Sequence, residues 1–191
     1  MSDAGLAFLA AEEGEVLHEY LDAGGKRTIG VGHLCREDER YPGGITHEQA
    51  IDLLRADVAT AERAVTAAVT AAVTQWQFDA LVSLAFNIGG GAFARSTLVR
   101  LLNNGDTGLA ARGAWLAWCH VAGAVSPGLV ARRSREWELF ASGREELTDP
   151  ATPAAIAKSQ PPPGEVTSIE GQVAPVLPDD DGPGEPPAAA G

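Results

Sequence analysis

The 191-residue chain is poor in cysteine, with only Cys35 and Cys119. That scarcity excludes a disulfide-dense scaffold and a four-cysteine zinc site. No uncharged apolar run approaches the ~18 residues of a membrane span, so no stable membrane insertion is expected. The start, MSDAGLAFLA, lacks the positive residues of a secretory signal, and its apolar stretch is short. There is no Gly-rich phosphate loop, HExxH, CxxC or G-x-S-x-G; Gly30 and Gly32 form only an isolated GxG. His18, His47 and His120 show no metal-like clustering, and no metal or organic cofactor is implied. A net charge of −12 argues against a nucleic-acid partner. The chain thus reads as made in the cytoplasm, with any export arranged by other proteins.

Aromatic residues and proline are distributed very unevenly. All eleven aromatics lie at or before Phe140, while ten of the twelve prolines lie beyond Asp149. A segment without aromatics and this rich in proline cannot bury enough surface to offset its chain entropy. The expected organisation is a folded domain over 1–148 and a disordered, acidic, Pro-rich tail over 149–191. Charge divides the chain further: −7 over 1–66, +1 over 67–148 and −6 over the tail. The folded part therefore has two electrostatically different halves, expected as two lobes.

Apolar spacing around Leu6, Phe8, Leu9, Val16 and Leu17 is helical, interrupted by Gly14. The run YLDAGGKRTIGVGHL, with its glycine pair and β-branched Thr28, Ile29 and Val31, predicts a small hairpin or sheet. Thr46 with Gln49 forms a capping-box pattern before Ile51, Leu54, Val58 and Val65, predicting one helix of about twenty residues. Helical stretches follow near 75–88, 96–103, 108–118 and 129–141, broken at Gly89-Gly90-Gly91, Asn103-Asn104-Gly105 and Pro127-Gly128. The fold class expected is α+β, mainly helical: a small β-containing lobe, a long helix and a helical lobe.

Three residues stand out chemically. Glu13 ends the first helical segment, Asp22 sits at the lip of a turn, and Thr28 starts the returning strand. Glycosidic bond cleavage needs such a set. One carboxyl donates a proton to the leaving oxygen; the other, ionised, activates water or faces the oxocarbenium-like transition state. Glu13 lies beside Val16 and Leu17, where burial favours the acid form, while Asp22 lies in a wetter Gly-rich turn. Thr28 offers a hydroxyl to the water. Spacing alone singles out none of them, because the chain has 26 acidic residues.

The run from Glu13 to Leu34 resembles the signature of phage-type lysozymes, glycoside hydrolase family 24: a Glu-Gly pair, an Asp, then Thr-Ile-Gly-x-Gly-His. ITHEQAIDLLRADVATAE resembles that family's inter-lobe helix, QFDALVSLAFNIGGGAF its central helix, and GLVARRSREWELF its last. The similarity spans residues 5–143 and leaves the tail unmatched. It implies a lysozyme-like fold with two lobes around a cleft. It also implies a muramidase cutting the β-1,4 bond between N-acetylmuramic acid and N-acetylglucosamine in peptidoglycan. Glu13 matches the proton donor, Asp22 the second carboxylate and Thr28 the threonine that holds water. Leu34, Phe86 and Ser96 are implied to contact the sugars.

The resemblance further implies an endolysin, inverting at the anomeric carbon, stored in the host cytoplasm until a holin-type pore or delivery apparatus brings it to periplasmic peptidoglycan. A membrane signal-arrest segment of the kind present in some members is not expected here, and a monomer is the default expectation. The competing readings are a lytic transglycosylase, which needs no water-activating Asp, and a non-catalytic wall-binding or tail-associated module. Glu12 and Glu15 are expected as solvated carboxylates, and His33 as the internal partner of a carboxylate. Trp76, Trp115, Trp118 and Trp137 are expected in the core, Arg132, Arg133 and Arg135 on a solvated helix face, and both cysteines as free thiols. Removing residues 149–191 is expected to leave turnover on peptidoglycan nearly unchanged; a large loss in the truncated protein would make the tail part of the machine.

Overall fold

Ser2 opens the first helix by accepting the Gly5 amide at 3.0 Å, and Asp3 follows in the first turn, where a negative charge complements the helix dipole. This helix, α1 (Asp3–Glu13), buries Leu6 and Leu9 and stops at Gly14, whose φ of +80° few other residues adopt. The computed structural model describes residues 1–22 and 24–143; the segment read as a tail, 149–191, lies outside them. The described residues fall into two compact units, Met1–Ala59 and a second beginning at Thr60.

In the first unit, β1 (Val16–Leu21), β2 (Arg27–Gly30) and β3 (His33–Leu34) form an antiparallel sheet in that order. The predicted capping box is present at the start of α2 (His47–Asp57). Gln49 N–H donates to Thr46 Oγ1 at 3.2 Å, and Thr46 N–H donates to Gln49 Oε1 at 2.8 Å. Helix α2 packs on α1 and β2, where Leu6, Leu9, Ile29, Val31, Ala50 and Leu54 are buried. Burial of each large aliphatic side chain contributes about 1.5–3 kcal/mol. At the surface Arg55–Asp3 at 2.8 Å clips α2 to α1, and His47–Glu15 at 2.9 Å clips α2 to the link between α1 and β1.

The segment expected as one long helix is two: α2 and α3 (Ala59–Ala68), separated by a turn at Val58. Val58 keeps its N–H on Leu54 O at 2.9 Å and has helical dihedrals (φ −68°, ψ −16°), so the interruption is a local one. Apolar periodicity runs through such a turn without a break, which is why the spacing of Leu54, Val58 and Val65 predicts continuity.

The second unit is built on α4 (Gln75–Ile88), buried continuously from Asp79 to Ala85, as a helix at the centre of a core should be. Around it stand α5 (Gly90–Ala94), α6 (Thr97–Asn103), α7 (Leu109–Leu116) and α8 (Pro127–Ser142), with a two-stranded ribbon, β4 (His120–Val121) and β5 (Ala124–Val125), before α8. Helix α8 lies along α4. Trp115, Trp137 and Phe140 form an aromatic cluster with ring centroids 5.3–5.8 Å apart; Trp118 and Trp76 are half-buried.

Arg132 and Arg133 correct the expectation of a solvated face. Both are buried, and both reach the fully buried Glu136, through Arg132 Nε–Oε1 at 3.0 Å and Arg133 Nε–Oε2 at 3.2 Å. Ser83 Oγ and Trp115 Nε1 donate to the same carboxylate at 2.8 and 3.3 Å. Hydrogen bonds from several donors make a charge tolerable there. Arg135 is exposed, and both cysteines are free thiols.

Gly30 explains a glycine of the TIGVGH run. Its φ is +64°, and a Cβ there would stand 3.3 Å from Ile45 Cδ1 and 3.4 Å from Ala50 Cβ on α2. Gly30→Ala is therefore expected to cost about 1–3 kcal/mol through backbone strain and crowding, read as a lower midpoint of urea unfolding. An unchanged midpoint would mean that the helix and sheet do not meet this closely.

Candidate active site

Strand pairing decides which side chains share a face. Tyr20 stands opposite Thr28, Leu21 opposite Arg27, and Thr28 opposite Leu34. Paired residues point to the same side and successive residues alternate. Tyr20, Thr28 and Leu34 therefore line one face of the sheet, and Asp22 follows β1 directly, in the turn that leads to β2. Arg27, Ile29 and His33 line the other. Thr28 is buried and its Oγ1 donates to Lys26 O at 3.2 Å, leaving the oxygen lone pairs to accept. Leu34 is exposed.

Asp22 shapes the turn that presents it. Its Oδ1 accepts both Gly24 N–H and Lys26 N–H at 2.8 Å, its own N–H donates to Lys26 O at 2.9 Å, and Gly25 N–H donates to Asp22 O at 2.9 Å. A Cβ on Gly24 would lie 3.3 Å from Asp22 Oδ1, so the smallest residue keeps the carboxylate seated. One carboxylate oxygen thus belongs to the backbone, and the other takes no part in these turn bonds. Tyr20 has its phenol held above the ordinary value by burial and then by the Asp22 charge.

Glu13 is the last residue of α1, held there by the Gly14 N–H bond to Ala10 O at 3.0 Å. It is half-buried, with Oε1 shielded from solvent. Two residues separate it from Val16, which pairs with Gly30 in the same sheet. Glu13, Asp22, Thr28 and Leu34 thus all belong to the first unit. Phe86 and Ser96 belong to the second: Phe86 is half-buried in the last turn of α4, and Ser96 is buried, its Oγ capping α6 by accepting Val99 N–H at 3.2 Å. Glu12 is half-buried, and Glu15 is exposed and engaged with His47.

Behind the sheet, His33 joins two carboxylates, as its expected structural role requires. Nδ1 meets Asp57 Oδ2 at 2.9 Å and Nε2 meets Glu39 Oε2 at 3.1 Å. Burial works to lower the His33 value, but the bonds and charges of Asp57 and Glu39 outweigh it and hold it above 6.5. The Arg36 amide and then His33 pull Glu39 down to about 2, while burial leads in raising Asp57. Among the described residues no group of three or more His, Cys, Asp or Glu is disposed to hold a metal ion. No helix among them is long and apolar enough to cross a membrane.

The phage lysozyme family profile matches residues 10–136, two thirds of the chain. The chain belongs to the phage lysozyme family. It is 42% identical over 145 residues to the endolysin of Salmonella phage P22, covering 74% of this chain and 98% of that protein. It is 43% identical over 145 residues to the endolysin of Bacillus phage PZA, covering 75% of this chain but only 55% of that longer protein. A crystal structure of a mutant P22 lysozyme superposes with a TM-score of 0.68 at 40% identity, over 74% of this chain and 97% of that one. The α+β, mainly helical fold is that of the phage lysozymes.

The carboxylates flanking His33 in this phage lysozyme family member, Glu39 and Asp57, escape sequence reasoning. They lie 6 and 24 residues from it, and only the fold brings them together. Their linkage to stability follows from sign. A histidine raised on folding contributes fully below 6.5, and loses that contribution as pH rises through the folded value. Glu39, depressed from 4.5, contributes above 4.5 and loses it as pH falls toward about 2. Asp57, raised from 3.8, favours the folded state at low pH and opposes the Glu39 trend there. Thermal unfolding followed across pH should show stability declining as pH rises from 6.5 in the wild type, and a flatter limb there in His33→Gln. Parallel limbs in the two proteins would contradict the assignment.

Proposed function

We propose that this chain is a muramidase that hydrolyses the β-1,4 bond between N-acetylmuramic acid and N-acetylglucosamine in peptidoglycan. The observation that supports the reading is the sheet register, which gives Thr28 and Leu34 one face, together with Asp22 seated in the turn between β1 and β2 and Glu13 at the end of α1, just before the sheet begins. Glu13 supplies the proton to the glycosidic oxygen as the bond breaks. The Asp22 carboxylate, seated by Oδ1, takes the proton of the attacking water through its other oxygen. Thr28 Oγ1, already donating to Lys26 O, accepts a hydrogen bond from the same water and fixes its line of approach. Leu34 offers an apolar surface to the sugar, and Phe86 and Ser96 belong to the sugar-contacting set that the family pattern implies. Inversion at the anomeric carbon is the outcome this division of labour produces.

The pairing of Asp22 with Thr28 favours hydrolysis over lytic transglycosylation, which has no water to position. Endolysin relatives at 42–43% identity support action on the cell wall; storage in the host cytoplasm and passage through a holin-type pore or a delivery apparatus are part of the same proposal. The enzyme works as a monomer, its proposed catalytic residues coming from one chain.

On purified peptidoglycan, Glu13→Gln should lower release of soluble fragments by about 10²–10⁴-fold, the range for removal of a general acid. Asp22→Asn and Thr28→Val should lower kcat more than they raise KM, because their target is the water. Wild-type rates in Glu13→Gln would remove Glu13 from the mechanism, and a pure KM effect in Thr28→Val would take it off the water.

A further inference from the structure

The loop after β3, CREDERY over residues 35–41, has neither helix nor strand, yet it is densely bonded, and most of the bonds end on Glu39. Glu39 Oε2 accepts Arg36 N–H at 2.8 Å and faces His33 Nε2 at 3.1 Å; Oε1 accepts Arg36 Nη2 at 2.7 Å. The Glu39 carbonyl takes Arg40 Nη1 at 2.7 Å and also Arg27 Nη2. Beside it, Glu19 Oε1 accepts Tyr41 N–H at 2.6 Å and Oε2 accepts Arg27 Nε at 3.2 Å, while Cys35 N–H donates to Arg27 O at 2.9 Å.

The residues gripped are informative. Arg27 immediately precedes Thr28, and His33 immediately precedes Leu34. Both lie on the back of the sheet, so each bond that fixes them fixes the rotation of the neighbour on the front. His33 is tied in turn to Asp57 at the end of α2, which makes the sheet, loop and helix one hydrogen-bonded body. We infer that Glu39 is a positioning residue for the proposed muramidase, acting from behind the sheet to set the orientation of Thr28 and Leu34.

This inference rests on the proposed function for its kinetic consequence, and on geometry alone for its structural one. Two measurements on the full chain separate them. The first is amide hydrogen exchange in wild type, Glu39→Ala and the size-conserving Glu39→Gln. Exchange at Cys35, whose N–H spans β3 to β2, should quicken by about tenfold or more in Glu39→Ala, and less in Glu39→Gln. Leu9 in α1 and Leu54 in α2 should keep their protection. The second is turnover of purified peptidoglycan, where Glu39→Ala should lower kcat/KM by about tenfold or more. Added to Thr28→Val, it should lower kcat little further, since a residue that acts through the Thr28 hydroxyl has little left to position once that hydroxyl is gone.

Unchanged exchange at Cys35 overturns the inference. So does a Glu39→Ala effect that adds fully to Thr28→Val, which would mark general destabilisation. If Glu39→Ala does not fold, Glu39→Gln carries both measurements with the same criteria. If the wild type releases no fragments, the muramidase reading falls, and exchange at Cys35 alone decides whether Glu39 holds this face of the sheet.

Discussion

The seating of one carboxylate oxygen in a backbone turn is the constraint on which the proposed site depends. Asp22 Oδ1 accepts two amides of the turn that joins β1 to β2, and the main chain of Asp22 closes the same turn with Lys26 and Gly25. Opening of the turn would release the register Tyr20–Thr28, and with it the shared face of Tyr20, Thr28 and Leu34. A residue proposed to act on water is thus also the residue that folds its own surroundings. The arrangement puts the charge where the turn needs an acceptor, and the two turn amides use only one of the two carboxylate oxygens.

The two faces of this small sheet divide the work. The back carries Ile29, buried against α2, and His33, held between Asp57 and Glu39. The front carries the groups proposed to meet substrate. Gly30 lets α2 come close enough to cover the back, since any side chain there would meet Ile45 and Ala50. The glycines of the signature therefore serve packing and turn geometry, Thr28 is the polar residue among them proposed to serve chemistry, and His33 ties the sheet to its loop and to α2. That explains why glycine, threonine and histidine are interleaved within so few positions.

Much of this was legible in the sequence. The Thr46–Gln49 capping box, the breaks at Gly89 and Gly105, and the strand character of Thr28–Ile29 are local signals with local causes, and the structure has them where the residues stand. The run from Glu13 to Leu34 pointed to the family because its residue types recur in a fixed order. What escaped reading depended on long-range packing. A pair such as Arg132–Glu136 has the same spacing on a wet helix face as in a core, so only the neighbours Ser83 and Trp115 reveal its burial. The ribbon of β4 and β5 turns at Ala122-Gly123, both at positive φ, without the asparagine or aspartate that signals such turns. The partners of His33 are brought to it by tertiary folding alone.

The central claim is that water, held by Asp22 and Thr28, is the nucleophile. Mass spectrometry of the soluble products released by the wild-type chain from purified peptidoglycan in oxygen-18 water tests it most directly. The account predicts muropeptides with a free reducing end that carry the heavy oxygen at the anomeric carbon of N-acetylmuramic acid. Anhydro-muropeptides without the label would contradict it, because the bond would then have been cut without water and Asp22 would have no partner to act on.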